Sequence, residues 1–225
     1  MRKTRTLALT AAATALLAAC ATTPSTGPMS FFITSAGSGK GGDLGGLAGA
    51  DAHCQKLAAA AGHAGKTWRA YLSVQGVFPR QGTPAVASIH ARERIGKGPW
   101  YNAKGQLIAR DLEHLHNGNN LTKETALDER GNLVNGRTET PNEHDILTGS
   151  RADGTSFAPG PDATCKAWTS SSDGAAIVGH HDRVSAMPEA WGKSWNFSHF
   201  SAGCSQQALV STGGAGRFYC FAAGN

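Results

Sequence analysis

The sequence predicts an α+β domain, two helices beside antiparallel strands with a long irregular loop region. Three observations lead there. A helix-period apolar face over residues 45–62 gives way almost at once to a period-two strand over residues 67–73. Short strand-like runs separated by glycine turns then recur down to the C-terminus, and 29 glycines with a hydrophobic fraction of 40% describe a compact, loop-rich chain.

The first helix places Leu47, Ala50, Cys54, Leu57, Ala58 and Ala61 on one face, so Cys54 points inward. In the following strand Trp68, Ala70 and Leu72 face the helix while Arg69 and Tyr71 face away, which makes helix and strand one packed corner. Before them, residues 29–35 read as a first strand ended by a glycine-rich turn. That turn is no phosphate loop, because Lys40 is followed by Gly41 where Ser or Thr is needed. Residues 84–95 read as a second helix, with Pro84 in its first turn and Val86 and Ile89 on one face. Two tight-turn-plus-strand units follow, over residues 103–108 and 129–134, and between them His114 and His116 fall in a solvated loop. Residues 175–179 form a buried strand, and residues 205–210, a glycine turn and 217–221 form a closing hairpin. In that hairpin Tyr219 and Phe221 oppose Phe218 and Cys220.

The N-terminus predicts export. Arg2, Lys3 and Arg5 precede an uncharged run that ends in Leu17-Ala18-Ala19-Cys20, too short to span a membrane and suited to a signal peptide over residues 1–19. A cysteine after Leu-Ala-Ala resembles the bacterial lipobox, which makes Cys20 the lipidation site, residues 20–28 a flexible tether and residues 29–225 the domain. Ala21 after that cysteine resembles an outer-membrane sorting signal, so contact with membrane is expected through the lipid alone. The three bases of the signal leave without any acid, which takes the formal charge from +5 to +2. So small a charge, with no basic stripe, argues against nucleic acid as a partner. Four cysteines remain, Cys54, Cys165, Cys204 and Cys220, an even number for an oxidising compartment. Three pairings are open to them, and without a Cys-x-x-Cys pair a cysteine-bound metal is disfavoured.

Gly49-Ala50-Asp51-Ala52-His53-Cys54-Gln55 and the stretch 64–73, Ala-Gly-Lys-Thr-Trp-Arg-Ala-Tyr-Leu-Ser, resemble the helix and strand that open the endostatin domain of collagens. That domain is a variant of the C-type lectin-like fold. The resemblance returns at Thr164-Cys165-Lys166-Ala167-Trp168, at Gly203-Cys204 and at Phe218-Tyr219-Cys220-Phe221. It implies the pairings Cys54 with Cys220 and Cys165 with Cys204. The endostatin zinc site does not carry over, because no histidine lies between Ala21 and Ala52.

Polar residues become dense after Thr138. Sugar-binding C-type lectins carry Glu-Pro-Asn or Gln-Pro-Asp and later Trp-Asn-Asp; here stand Thr140-Pro141-Asn142 and Trp195-Asn196-Phe197. Calcium needs several carboxylate oxygens, and both triplets have lost one. No cofactor is expected, with calcium the cation that the resemblance would bring if Glu143 or Asp145 compensated. Around these triplets Asn142, Glu143, Asp145 and Asn196 are candidate ligand-binding residues. His180, His181 and Asp182 follow the buried strand, with His199 able to join them from the Trp195 loop. Adjacent histidines on an extended chain point to opposite faces, so one of His180 and His181 serves a given site. Trp168 packs near a disulfide, whereas Trp191 and Trp195 are the exposed stacking candidates. The leading expectation is a noncatalytic module that recognises a glycan or another surface macromolecule. A metal-dependent hydrolase using His180 or His181 with Asp182 and His199, or a structural envelope lipoprotein, are the alternatives.

Overall fold

A computed structural model describes residues 26–79, 81 and 85–224. The signal segment and Cys20 lie outside the described residues. No helix among those described is long and apolar enough to cross a membrane. The chain is α+β, with eight strands among the described residues: β1 (Phe31–Ile33), β2 (Thr67–Ala70), β3 (Trp100–Tyr101), β4 (Leu107–Ala109), β5 (Asp145–Leu147), β6 (Ile177–His180), β7 (His199–Phe200) and β8 (Gly214–Ala223).

Ten residues long, β8 organises the sheet, whose order is β1-β8-β5-β6-β7 with β2 also paired to β8. β1 and β2 run antiparallel to its C-terminal half, and β5 runs parallel to its beginning. β3 and β4 make a separate two-stranded ribbon. Alternation along β8 divides the core. Phe218, Cys220 and Ala222 pack with Ala50, Cys54, Ala58, Trp68 and Trp168, while Tyr219 and Phe221 pack with Phe31, Tyr71, Trp100 and Trp195. Each of these large aromatic side chains contributes about 1.5–3 kcal/mol by burial.

The first helix, α1, spans Gly46–Ala60 and buries Ala50, Asp51, Cys54 and Ala58. Two disulfides join Cys54 to Cys220 and Cys165 to Cys204, the pairing that the resemblance implies. Asp51 is a charge on that buried face with a reason to be there. Its carboxylate accepts from Ala70 N, at both oxygens from Arg94 Nη2 at 2.9 and 2.8 Å, and from Arg69 at 2.8 Å, so it ties α1 to β2 and to the short helix α2 (Ala91–Arg94). Asp51→Ala strands the nearly buried Arg94 guanidinium and is expected to cost about 3 kcal/mol, read from urea unfolding. The exposed Arg69 contributes little of that.

Three expectations are corrected. Residues 84–95 are not one helix: Val77 bridges Val86 and Val74 bridges Ile89, so this stretch is extended until α2 begins at Ala91. His114 and His116 lie on helix α3 (Leu112–Asn117), where the Asp111 side chain caps the N–H of His114. Residues 206–211 are helical as well, capped by Ser205 on Ala208 N, so the closing element is helix then strand. At Cys165–Trp168 four consecutive non-glycine residues have φ from 45 to 66°, a left-handed turn held at its first residue by the bridge to Cys204.

Candidate metal centre

β5 and β6 are antiparallel, with Asp145 opposite His180, and β7 adds His199 opposite Val178. Val178 and His180 share a face, being two apart on one strand, so His199 stands diagonally beside His180 on that face. Gly179 between them is obligatory: a Cβ there would run into the carbonyl of Trp195 and the N–H of Asn196, which cross it closely. That crossing is also where His180 N donates to Ser194 O, 2.8 Å. His144 precedes β5, and its ring stacks on that of His180 at 4.0 Å between centroids.

The result is a knot of ligand-type atoms. Asp145 Oδ1 lies 3.2 Å from His144 Nε2, 3.2 Å from His180 Nε2 and 3.4 Å from His199 Nε2. The last two nitrogens are 3.0 Å apart. His144, Asp145 and His180 each offer one ligand atom, all within 4.8 Å of one another. His144, Asp145 and His180 are buried, and His199 closes the cluster from the side nearest solvent with 29% of its side chain exposed.

The tautomers follow from the outer partners. His180 Nδ1 contacts Gly192 O at 2.6 Å, and His199 Nδ1 contacts Phe200 O at 3.0 Å. A carbonyl only accepts, so both Nδ1 atoms carry the proton. His144 Nδ1 meets the Asp182 carboxylate at 3.3 Å, with the same consequence. Each ring therefore turns its Nε2 toward Asp145, and the 3.0 Å contact between His180 Nε2 and His199 Nε2 needs a proton on one of that pair. Despite the short distances, Asp145 Oδ1 and Oδ2 and His144 Nε2 are buried with no hydrogen-bond partner. Inward-facing ring nitrogens and a carboxylate without hydrogen-bond partners in a buried site form an electrostatic demand for a cation.

Burial alone would raise the Asp145 pKa, but its histidine neighbours, His180 and His199 first, outweigh it and bring it down to about 2. Asp182, similarly opposed by burial, is held well below the usual carboxylate range by His144 and by the N–H groups of Arg137 and Val184. His199 is raised by its contact with Asp145.

The other sequence candidates fall into place around this centre or away from it. Asp145, in place of Asp182, is the carboxylate that meets His180 and His199, since β5 and not the β6 end runs opposite them. Asp182 stands behind His144. His181 points the opposite way from His180, its Nε2 against Asn135 O at 3.0 Å, and burial lowers its pKa to about 4. Asn142 Oδ1 accepts from His144 N, and Glu143 pairs with Arg217 at 2.7 Å, so both shape the turn that presents His144. Trp195 is a correction: it is 2% exposed, packed on Tyr71 and Tyr219, and only Trp191 is open to solvent. Asn196 is buried too, donating to Tyr71 OH and to the carbonyls of Arg151 and Ala152. His144 is the residue that sequence reasoning passed over. Its signal was an adjacent His-Asp pair immediately before the apolar Ile146-Leu147, at the mouth of a strand.

Imidazole nitrogens with one carboxylate oxygen are a poor set for calcium, which takes six to eight oxygens, and a good one for Zn²⁺. A tetrahedral ion with bonds of about 2.0–2.1 Å needs ligand atoms roughly 3.3 Å apart; the Asp145 edges to His144 and His180, both 3.2 Å, meet that, whereas His199 stands outside the set of atoms that all lie within 4.8 Å of one another. Comparison with protein-family models and with curated proteins finds no match.

Proposed function

We propose that this protein is an exported, envelope-tethered binding module built on a C-type lectin-like domain, with a zinc-class metal ion held by His144, Asp145 and His180 and with His199 beside it. The observation that carries the metal is the set of inward Nε2 atoms around an unpartnered, buried Asp145 carboxylate. The lectin-like assignment is supported by the stapling of α1 to the last strand and by the second bridge.

Three buried ligands with the His199 ring across the side nearest solvent favour a closed, noncatalytic centre, because a hydrolytic zinc keeps one position open for water. On this reading the ion stabilises the β5–β6–β7 corner and the loops that leave it, and ligand recognition falls to those loops. A glycan is the ligand class favoured by the polar cleft beside them, lined by Asn117, Asn119, Ser194 and Asn196.

Metal analysis of the purified chain tests the centre. About one zinc per chain is expected, falling below about a fifth in His180→Ala and in Asp145→Asn. Full occupancy in both variants, or no uptake of added zinc by the folded parent, would refute it.

A further inference from the structure

On the far side of the Ala190–Lys193 turn from the metal centre lies the cleft just named, with a volume of about 660 Å³. Its floor is rigid. Tyr71 OH contacts His116 Nε2 at 2.9 Å and accepts from Asn196 Nδ2 at 2.9 Å, while His116 Nδ1 contacts Leu112 O at 2.7 Å. The size is that of a small-molecule site.

Its charge is one-sided. Arg183 and Lys193 line it, and no Asp or Glu does. Arg183 is half-buried, yet among the described residues no carboxylate lies within ion-pairing distance of it. Its Nε donates to Leu121 O at 3.0 Å, Nη1 to Lys193 O at 3.3 Å and Nη2 to Asn119 Oδ1 at 2.6 Å. All three acceptors are neutral, and they use three of the five N–H groups of the fork. The nearest acids along the chain face elsewhere: Asp182 is turned to His144 and Arg137 N, and Glu189 does not reach the lining. Arg183 also holds a left-handed backbone, φ 59°, that a non-glycine residue adopts at a cost. A guanidinium fixed by neutral groups, with two N–H groups to spare and no counter-charge, is prepared for a planar anion.

We propose that this cleft binds an acidic sugar, with the sugar's carboxylate on the Arg183 fork and Lys193 at the rim. The inference deepens the glycan-binding reading and rests on it, naming the class of sugar.

Calorimetric titration of the full chain with glucuronate, glucose and inorganic phosphate tests it, on the protein as purified and after metal depletion. Glucuronate is expected to bind about tenfold or more tightly than glucose in both preparations. Arg183→Lys, which keeps the charge and loses the fork, is expected to lower glucuronate affinity about fivefold or more. Lys193→Glu, a surface change, is expected to lower it several-fold. Glucose binding as well as glucuronate would overturn the acidic class while leaving a glycan module standing. No binding of either sugar would overturn both. Phosphate binding as tightly as glucuronate would make the cleft a general oxyanion site, and a glucuronate response lost on metal depletion and in Asp145→Asn would put the carboxylate on the metal. Either result removes the assignment.

Discussion

Stripping the metal with a chelator is expected to lower the midpoint of thermal unfolding by about 5–10 °C. An ion present at a hundred times its dissociation constant stabilises the folded state by about 2.7 kcal/mol, and a domain of this size shifts by about 2–4 °C per kcal/mol. Without the ion, the buried Asp145 carboxylate faces three ring nitrogens, none of which gives it a well-aimed hydrogen. Asp145→Asn keeps the shape, removes the charge, and should unfold at the same temperature with or without chelator. A midpoint in the parent that chelator leaves within about 1 °C would count against the centre.

Replacing both Cys54 and Cys220 by alanine is expected to cost about 5 kcal/mol in the loop-entropy account, because the bridge spans 166 residues of sequence. The same change at Cys165 and Cys204, 39 apart, is expected to cost about 4 kcal/mol. Urea unfolding of the two double variants gives the order. A smaller loss at the Cys54–Cys220 pair than at the other would show that strain or residual denatured-state structure outweighs chain entropy here.

The parts of the fold that were legible are those with a clean period and an obvious stop. The first helix and Trp68 strand announce themselves through spacing and through Gly62, whose left-handed φ of 87° ends the helix. Residues 84–95 misled because Val86 and Ile89 satisfy the helical spacing as easily as they satisfy two cross-chain bridges to Val77 and Val74. A short apolar pattern does not choose between the two; its partner does. Helices of six residues at Leu112–Asn117 and Gln206–Ser211 were missed for want of length, although each carries a side-chain N-cap that was available to be read.

At the site, strand alternation correctly separated His180 from His181, since that is a property of one segment. Which carboxylate would face His180 depended on strand order. β5 pairs with β6 in a register that brings Asp145 across from His180, and nothing local to either segment states it. Asp182, adjacent in sequence, was the natural choice and stands one layer out. Trp195 and Asn196 looked exposed because they sit among polar residues, but Gly179 lets their backbone lie flat across β6, and the indole turns into the core.

The two sulfur bridges also govern what happens when the backbone is severed. A single nick anywhere from residue 55 to 219 leaves one covalent molecule, because the helix and the final strand remain joined at Cys54 and Cys220. A second nick between residues 166 and 203 still releases no fragment if the first fell outside that interval, since Cys165 and Cys204 hold the pieces together. Such a chain tolerates a protease-rich exterior without shedding parts until its sulfurs are reduced.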